Sequence, residues 1–354
     1  MTAKISGGQF LCLLLICRVS ELMTFVPLIS EGYSIKTQAT AAVISTVIQA
    51  LLIIPAVLFS ETFPERTITA VLAEKNRTAG ILTAAVYLLF FLLGSLNAAV
   101  NFMRFLNSRF FPDAGYIVML AVFGGVCIYC AYCGIEGLAR SSVFVLIFFF
   151  IVLAMMIASS SGNFKSINFY NSFNGSSLPE AVISDLARNS EITAAVFLIK
   201  NTDKSCRRGL YGLLGAKLLL TEFIMGMITG ILGGYAQLTD YPLMEVGSYS
   251  EARLFQRNDA LYLIVWTLAA VVTVSFYFRI GAGLLQEIFP KLKGSCAVTG
   301  AVVSAAALAF LKFGGRFGSG ADIVIGASMI LLTGVIPLLV WLLKKSGGKE
   351  LSKE

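Results

Sequence analysis

The chain has 354 residues, of which 57% are hydrophobic and 13% are charged, and its mean hydropathy is +0.83. A soluble domain carries charge on about 25% of its residues, so this composition indicates a polytopic membrane protein embedded in a lipid bilayer. The net charge of +7 does not indicate a nucleic-acid-binding protein, because Lys and Arg lie between apolar segments and not on one basic face.

The apolar segments predict ten transmembrane helices, since about 20 residues are needed to cross the hydrocarbon core. They lie at about residues 9–30, 38–59, 80–105, 115–133, 141–159, 179–199, 209–234, 258–286, 295–313 and 321–343. The first segment lacks a small-residue cleavage pattern, so we expect an uncleaved span. Lys and Arg are more frequent on the side of the two termini, which places both termini in the cytoplasm.

We expect one membrane domain over residues 1–354, built from two halves. A loop rich in Ser, Asn and Gly at about residues 160–178 separates repeat one, about 9–160, from repeat two, about 179–343. A charged cytoplasmic tail, residues 344–354, ends the chain.

The first span carries charge in its middle, in the segment Leu15–Pro27. A charge at the bilayer centre costs roughly 2.5–3.5 kcal/mol on insertion scales, so it must face protein or a wet cavity. Arg18 and Glu21 are three residues apart and can pair on one face of a helix. We interpret this segment as the interrupted first helix of a transporter-like core, with the ligand site beside it.

The sixth span is also too polar for a continuous helix in lipid. Asp185, Arg188 and Glu191 follow one another at spacings of three, with Asn189 and Ser190 between them. At membrane depth, the N–H and C=O groups of non-helical backbone must form hydrogen bonds to protein or to water in a cavity. Interrupted segments at equivalent positions of two halves indicate the binding site of an inverted-repeat transporter, so helices 1 and 6 are both predicted to be interrupted.

Two interpretations of these charges remain open: a structural ion network between helices, or a lining for a ligand or gate. Asp185 ranks below Glu191, because a position near the outer end of its helix would put it in reach of water. Lys217, nearer an inner end, is expected to snorkel. The predicted ligand-binding residues are Arg18, Ser20, Glu21, Thr24, Asn97, Asn101, Ser190 and Glu191, and the predicted network or coupling residues are Arg188, Glu222 and Ser275.

No sequence motif indicates an enzyme or a cofactor. The chain has no His, no G-x-S-x-G and no P-loop. Cys127, Cys130 and Cys133 form a C-x2-C-x2-C run, but a metal or iron–sulfur site would need a fourth ligand. Helix packing is the favoured interpretation of this run, and we expect no metal.

The connection between the seventh and eighth spans and the start of the eighth carry a recognisable pattern, formed by Tyr241, Pro242, Phe255, Gln256, Arg257, Asp259, Trp266 and Ser275. At these positions the chain is similar to the spore germination permease family, the B subunits of nutrient germinant receptors. The link with Glu136, Gly137 and Arg140, the opening Ile5-Ser6 with Gln9, and Pro27 also resemble the family.

This resemblance implies an all-α membrane fold of the amino acid–polyamine–organocation superfamily, with a LeuT-like five-plus-five inverted repeat. It implies a subunit in the spore inner membrane beside an A subunit and a lipoprotein C subunit. An amino acid or similar small nutrient would bind between the first, third, sixth and eighth spans. The chain departs from the family at Arg18–Glu21, where a glycine-rich break is usual, and at Thr273, where a Lys is frequent.

These observations lead to three hypotheses about function. The first is a nutrient-sensing receptor subunit, in which Arg18 pairs with Glu21 or a ligand carboxylate and Ser190 and Glu191 face the ligand. The second is a secondary amino acid transporter, with Glu21, Glu191 or Glu222 carrying a proton. The third is a structural or channel-forming subunit whose pocket binds no ligand.

Overall fold

The computed structural model describes residues 5–24, 34–63, 66–170, 176–199, 204–248, 258–314 and 319–350. All regular elements of this part of the chain are helices. They are α1 (Gly7–Thr24), α2 (Ile35–Thr62), α3 (Ile68–Lys75), α4 (Arg77–Arg109), α5 (Tyr116–Tyr132), α6 (Gly134–Ser160), α7 (Leu178–Ala187), α8 (Ser190–Leu198), α9 (Lys204–Leu232), α10 (Pro242–Ser248), α11 (Asn258–Ile288), α12 (Ser295–Lys312), α13 (Ser319–Ile330) and α14 (Ile336–Glu350), with a π-helical turn at Leu331–Val335 and short 3₁₀ turns at Ser161–Asn163, Ser166–Phe169 and Gly233–Gln237.

Eight helical segments in the described part of the chain are long and apolar enough to cross a membrane, which supports a multi-pass membrane protein. A ninth apolar helix, α5, has 17 residues. The sixth predicted span is the pair α7–α8. Helices therefore lie at all ten predicted positions, and the first to tenth spans correspond to α1, α2, α4, α5, α6, α7–α8, α9, α11, α12 and α13–α14.

Over Leu15–Thr24, the described part of the segment in which the sequence predicted an interruption, the first span is not interrupted. α1 is a continuous helix from Gly7 to Thr24 and includes Arg18–Glu21. The prediction is wrong there because the buried Arg18 side chain finds its partners on other helices, so the backbone need not open to satisfy it. Pro27, the other predicted feature of this segment, lies outside the described residues.

The sixth span is interrupted, as predicted, at Arg188 and Asn189. α7 ends at Ala187, and the dihedral angles of Asn189, φ −106° and ψ 40°, are not helical. The Asn189 side-chain amide donates to the carbonyl of Asp185, which belongs to the last turn of α7. Asn side chains that bond to nearby backbone compete with the helix ladder, which explains why the helix stops here.

The helices around this break enclose a polar interior. α1 packs on α6, α9 and α11, and α7 packs between α2 and α13. α4 packs along α11, and α5 packs along α12. Side chains on α1, α2, α7–α8 and α9 can therefore meet at the interruption.

The start of the third span depends on a close approach of two backbones, which gives a test of the packing. A β-carbon at Gly80 of α4 would lie 2.7 Å from the Cα of Ala73 in α3. We therefore expect Gly80→Ala to lower the free energy of unfolding by about 1–3 kcal/mol, as overpacking does. Thermal unfolding of the purified protein in detergent measures this.

The matched control is Gly125→Ala on α5, where an added β-carbon would meet nothing within 4 Å. This change should be neutral or stabilise the helix by up to about 1 kcal/mol. Equal unfolding temperatures for the two variants would contradict the close α3–α4 contact.

Candidate functional site

A buried group of polar side chains surrounds the interruption of the sixth span, and we call it the polar cluster. Each member is at most 4% exposed. Four helical units contribute: α1, α2, α7–α8 with its linker, and α9. The members are Arg18, Ser45, Gln49, Asp185, Asn189, Glu191, Lys217 and Thr221.

One ion pair of the cluster joins α1 to α7. Arg18 Nη2 lies 3.3 Å from Asp185 Oδ1, and the guanidinium also donates to Thr221 Oγ1 from Nη2 at 3.2 Å. Asp185 Oδ2 accepts from the Ser45 hydroxyl and from Asn189 Nδ2, the latter at 3.1 Å. Both oxygens of Asp185 are thus hydrogen-bonded, and we call this the closed pair.

A second ion pair joins α9 to α8. Lys217 Nζ lies 3.6 Å from Glu191 Oε1, within ion-pair range but beyond hydrogen-bond range. The ammonium donates instead to Asn189 Oδ1, at 2.6 Å, and to Gln49 Oε1. Neither oxygen of Glu191 accepts a hydrogen bond from the described residues, so we call this the open pair.

The two pairs balance each other in charge, with two cations and two carboxylates in one buried volume. Transfer of an ion from water into protein costs several kcal/mol, which opposite charges and hydrogen bonds must offset. Asn189 lies between the pairs, since it donates to Asp185 and accepts from Lys217. The interruption of the sixth span therefore links both pairs.

Several expectations need correction here. The ion pair of Arg18 is with Asp185 of the sixth span, and not within α1 as predicted for Glu21. Asp185 is 4% exposed and lies in the cluster, so its position in the last turn of α7 does not put it in reach of water. Lys217 does not snorkel, because Gln49 and Asn189 accept its hydrogen bonds inside the protein.

Other predicted residues lie beside the cluster or apart from it. Ser190 Oγ lies 2.6 Å from the hydroxyl of Tyr277 on α11. In α1, Thr24 Oγ1 donates to the carbonyl of Ser20 at 3.2 Å. Both α1 residues are buried. Ser190 of the sixth span thus contacts the eighth span, and Ser20 and Thr24 lie near the end of the first span.

Among the remaining predicted residues, hydrogen bonds between positions four residues apart involve Asn97 with Asn101, Ser275 and Arg188. Asn101 Nδ2 donates to Asn97 Oδ1 at 3.1 Å, and Ser275 Oγ donates to the carbonyl of Val271 at 2.5 Å. Arg188 Nη2 donates to Ser184 Oγ at 2.7 Å. Glu222 is half-buried and follows Thr221 on α9. Their predicted roles in ligand binding or coupling stay predictions.

Asp185 and Asn189 were noted for the polarity of the sixth span but not predicted as site residues, and four further members of the cluster were not predicted either: Ser45 and Gln49 on α2, and Lys217 and Thr221 on α9. A signal for them was present, because each pair is spaced by four residues in an otherwise apolar span. That spacing puts both side chains on one helix face. Two such faces opposite the charges of the sixth span would have indicated the cluster.

A model of the family described as spore germination protein matches residues 4–312 of the chain. The chain belongs to the spore germination protein family. The match spans α1 to α12 and thus includes the whole polar cluster. Among curated proteins, no match to the chain was found.

Membership of the spore germination protein family confirms the resemblance noted in the sequence. Two of the residues that carried that resemblance meet in the structure, where the rings of Tyr241 and Trp266 lie 5.8 Å apart. The Trp266 ring also packs on Phe105 of α4, with a centroid distance of 4.0 Å. Phe255, Gln256 and Arg257 lie outside the described residues.

The closed pair predicts a large loss of stability when one partner is removed. Asp185→Ala leaves the Arg18 guanidinium buried without its counter-charge, so we expect unfolding to become easier by about 3–5 kcal/mol. Thermal or denaturant unfolding in detergent measures this. The double variant Arg18→Met with Asp185→Leu should recover part of the loss, because no buried charge is left unpaired.

The control for this prediction is Glu74→Ala in the surface pair of Arg66 and Glu74, whose side chains are 50% and 52% exposed. Exposed pairs contribute at most about 1 kcal/mol. A loss of similar size in both single variants would show that Asp185 does not neutralise a buried charge.

Proposed function

We propose that this spore germination family protein is the membrane subunit of a nutrient germinant receptor. It binds an amino acid or a similar small nutrient in a transporter-like pocket at the interruption of the sixth span. The observation that carries the proposal is the carboxylate of Glu191, which is 1% exposed and accepts no hydrogen bond from the described residues. A buried charged group of this kind in a membrane is typical of a functional site.

A LeuT-like five-plus-five inverted repeat is part of the proposal, and the helix packing supports it. For several pairs of spans in contact, replacing each span by the one five places along gives another pair in contact. The first span packs on the fifth and the sixth on the tenth; the second packs on the sixth and the seventh on the first. The contacts between the third and eighth, fourth and ninth, and second and seventh spans map onto themselves.

The signal would arise from a difference in ligand affinity between two arrangements of the spans. Asn189, at the interruption, holds hydrogen bonds to α7 and α9. A ligand that engages Glu191 changes the charge balance of the open pair, and Asn189 transmits that change to both halves of the sixth span. The closed pair on the other side keeps α1 and α7 together.

The proposal includes the assembly and location that the family resemblance implies. The subunit lies in the spore inner membrane with both termini in the cytoplasm, beside an A subunit and a lipoprotein C subunit. Ligand binding in the polar cluster changes the contacts with those partners and starts ion release.

A second candidate function is a proton-coupled amino acid transporter. The observation that favours it is the open pair itself, because a buried amine and a carboxylate at 3.6 Å can exchange a proton without a large movement. Glu222 supplies a further half-buried carboxylate on α9, whose Oε1 accepts no hydrogen bond from the described residues. A transporter would carry the bound ligand across the membrane, whereas a receptor would pass a conformational change to its partner subunits.

Germination of spores that carry Glu191→Gln tests the receptor function. This substitution keeps the side-chain shape and removes the carboxylate charge, so we expect loss of the response to at least one nutrient that the unaltered strain recognises. Release of dipicolinic acid measures germination. Asp113→Asn, in an exposed loop, removes the same charge away from the cluster and should leave the response intact.

Immunoblots of the spore membrane must show the variant at the level of the unaltered protein. A normal response of Glu191→Gln spores to every nutrient, together with a normal response of Arg18→Ala spores, would favour the third hypothesis, a structural subunit without a ligand.

Uptake by proteoliposomes separates the receptor from the transporter. Vesicles that contain the purified chain alone should show no accumulation of radiolabelled amino acid when a proton gradient is imposed, because the proposed receptor signals through its partner subunits. Accumulation that Glu191→Gln abolishes and Asp113→Asn retains would contradict a purely sensing role and establish the transporter.

A further inference from the structure

The two ion pairs of the polar cluster differ in how completely their carboxylates are satisfied. Asp185 accepts hydrogen bonds at both oxygens, from Arg18, Ser45 and Asn189. Glu191 accepts none at either oxygen from the described residues, although its burial is equally deep. An ionised carboxylate left without donors in protein is costly, and among the described residues Glu191 has only the ammonium of Lys217, at 3.6 Å, as a counter-charge.

Two further polar groups close to Glu191 also lack partners among the described residues. They are Gln49 Nε2 and Thr273 Oγ1, and both residues are fully buried. Gln49 lies on the Lys217 side of Glu191, because its Oε1 accepts from Lys217. Thr273 lies one turn before Tyr277 on α11, and the Tyr277 hydroxyl is 2.6 Å from Oγ of Ser190, the residue before Glu191 in α8. A carboxylate on α8, an amide donor on α2 and a hydroxyl on α11 are therefore brought into one region of the buried interior.

The chemistry of this place favours a cationic donor as its occupant. Glu191 contributes two acceptor oxygens and a negative charge, and the Thr273 hydroxyl can accept one more hydrogen bond. A ligand carboxylate would be repelled there, and the guanidinium of Arg18 already faces Asp185. A protonated amine, with up to three N–H donors and one positive charge, matches the group.

Lys217 is the internal cation that such an amine would meet. Its ammonium lies 3.6 Å from Glu191 Oε1 but donates to Gln49 and Asn189. The lysine thus neutralises Glu191 at a distance without occupying its oxygens. An incoming ammonium would bind those oxygens and oppose Lys217 as a like charge.

We propose that Glu191, with Thr273 and Gln49, forms a subsite for the protonated amine of a small ligand, and that Lys217 acts as its internal competitor. The inference rests on the proposed function in taking this place as the ligand site, and it assigns the chemical class of the ligand. Binding of the amine weakens the ion pair between Lys217 and Glu191 and, through Asn189, alters the interruption of the sixth span.

The test uses ethylammonium chloride as the probe and the full chain in detergent at neutral pH. The readout is the shift of the thermal unfolding midpoint with probe concentration, against potassium chloride at the same ionic strength. Trifluoroethylamine is the matched uncharged probe, because it has nearly the same shape and is largely unprotonated at neutral pH. Ammonium chloride separates inorganic ammonium from an organic amine as the preferred source of the N–H donors.

We expect ethylammonium to raise the unfolding midpoint of the unaltered protein and of Asp113→Asn, and to have no effect beyond that of salt on Glu191→Gln. Lys217→Met should reach the same shift at a roughly tenfold lower concentration, because removal of a competing state increases apparent affinity. A purely structural role of Lys217 predicts the opposite, a weaker response.

Three results would overturn the inference: equal shifts with potassium and ethylammonium, equal shifts with the charged and uncharged amines, or an undiminished shift in Glu191→Gln. Where a variant fails to fold, the comparison of the two amines on the unaltered protein decides alone. If ethylammonium binds but Glu191→Gln spores germinate normally, the amine subsite is retained and the receptor function is rejected. If no amine binds but Glu191→Gln spores fail to germinate, the receptor function is retained and the amine subsite is rejected.

Discussion

The buried ion pair of Arg18 and Asp185 is the interaction on which the arrangement of the membrane helices depends. A guanidinium in the middle of the first span must find a counter-charge inside the protein, because lipid offers none. Asp185 supplies it from α7, and Ser45 of α2 and Thr221 of α9 complete the hydrogen bonds of the pair. Four helices are thereby fixed to one another at the level of the interrupted sixth span.

Features of single segments could be predicted from the sequence, because their causes are local. In the described part of the chain, apolar length predicted the eight helices that are long and apolar enough to cross a membrane, and the polar run around Asn189 predicted the break between α7 and α8. Partner choice could not be predicted in the same way. Pairing of Arg18 with Glu21 at i+3 would stabilise a helix by a few tenths of a kcal/mol, whereas Asp185, 167 residues away, neutralises a buried charge.

The unequal backbones of the first and sixth spans result from where their polar groups bond. Arg18 reaches other helices with a long side chain, so the backbone of α1 remains helical through Glu21. Asn189 is short and bonds to the carbonyl and carboxylate of Asp185, four residues before it, so it competes with its own helix. The same demand to satisfy buried polar groups therefore gives a continuous helix over Gly7–Thr24 and an interrupted helix in the sixth span.

The closed and open pairs differ in how their carboxylates are satisfied. Both oxygens of Asp185 accept hydrogen bonds, so this carboxylate stabilises the fold. Glu191 accepts no hydrogen bond from the described residues, which costs stability. Natural proteins depart from full polar satisfaction at functional sites and offset that cost elsewhere. Because Asn189 bonds to Asp185 of one pair and to Lys217 of the other, a single side chain couples the open pair to the pair that joins α1 to α7.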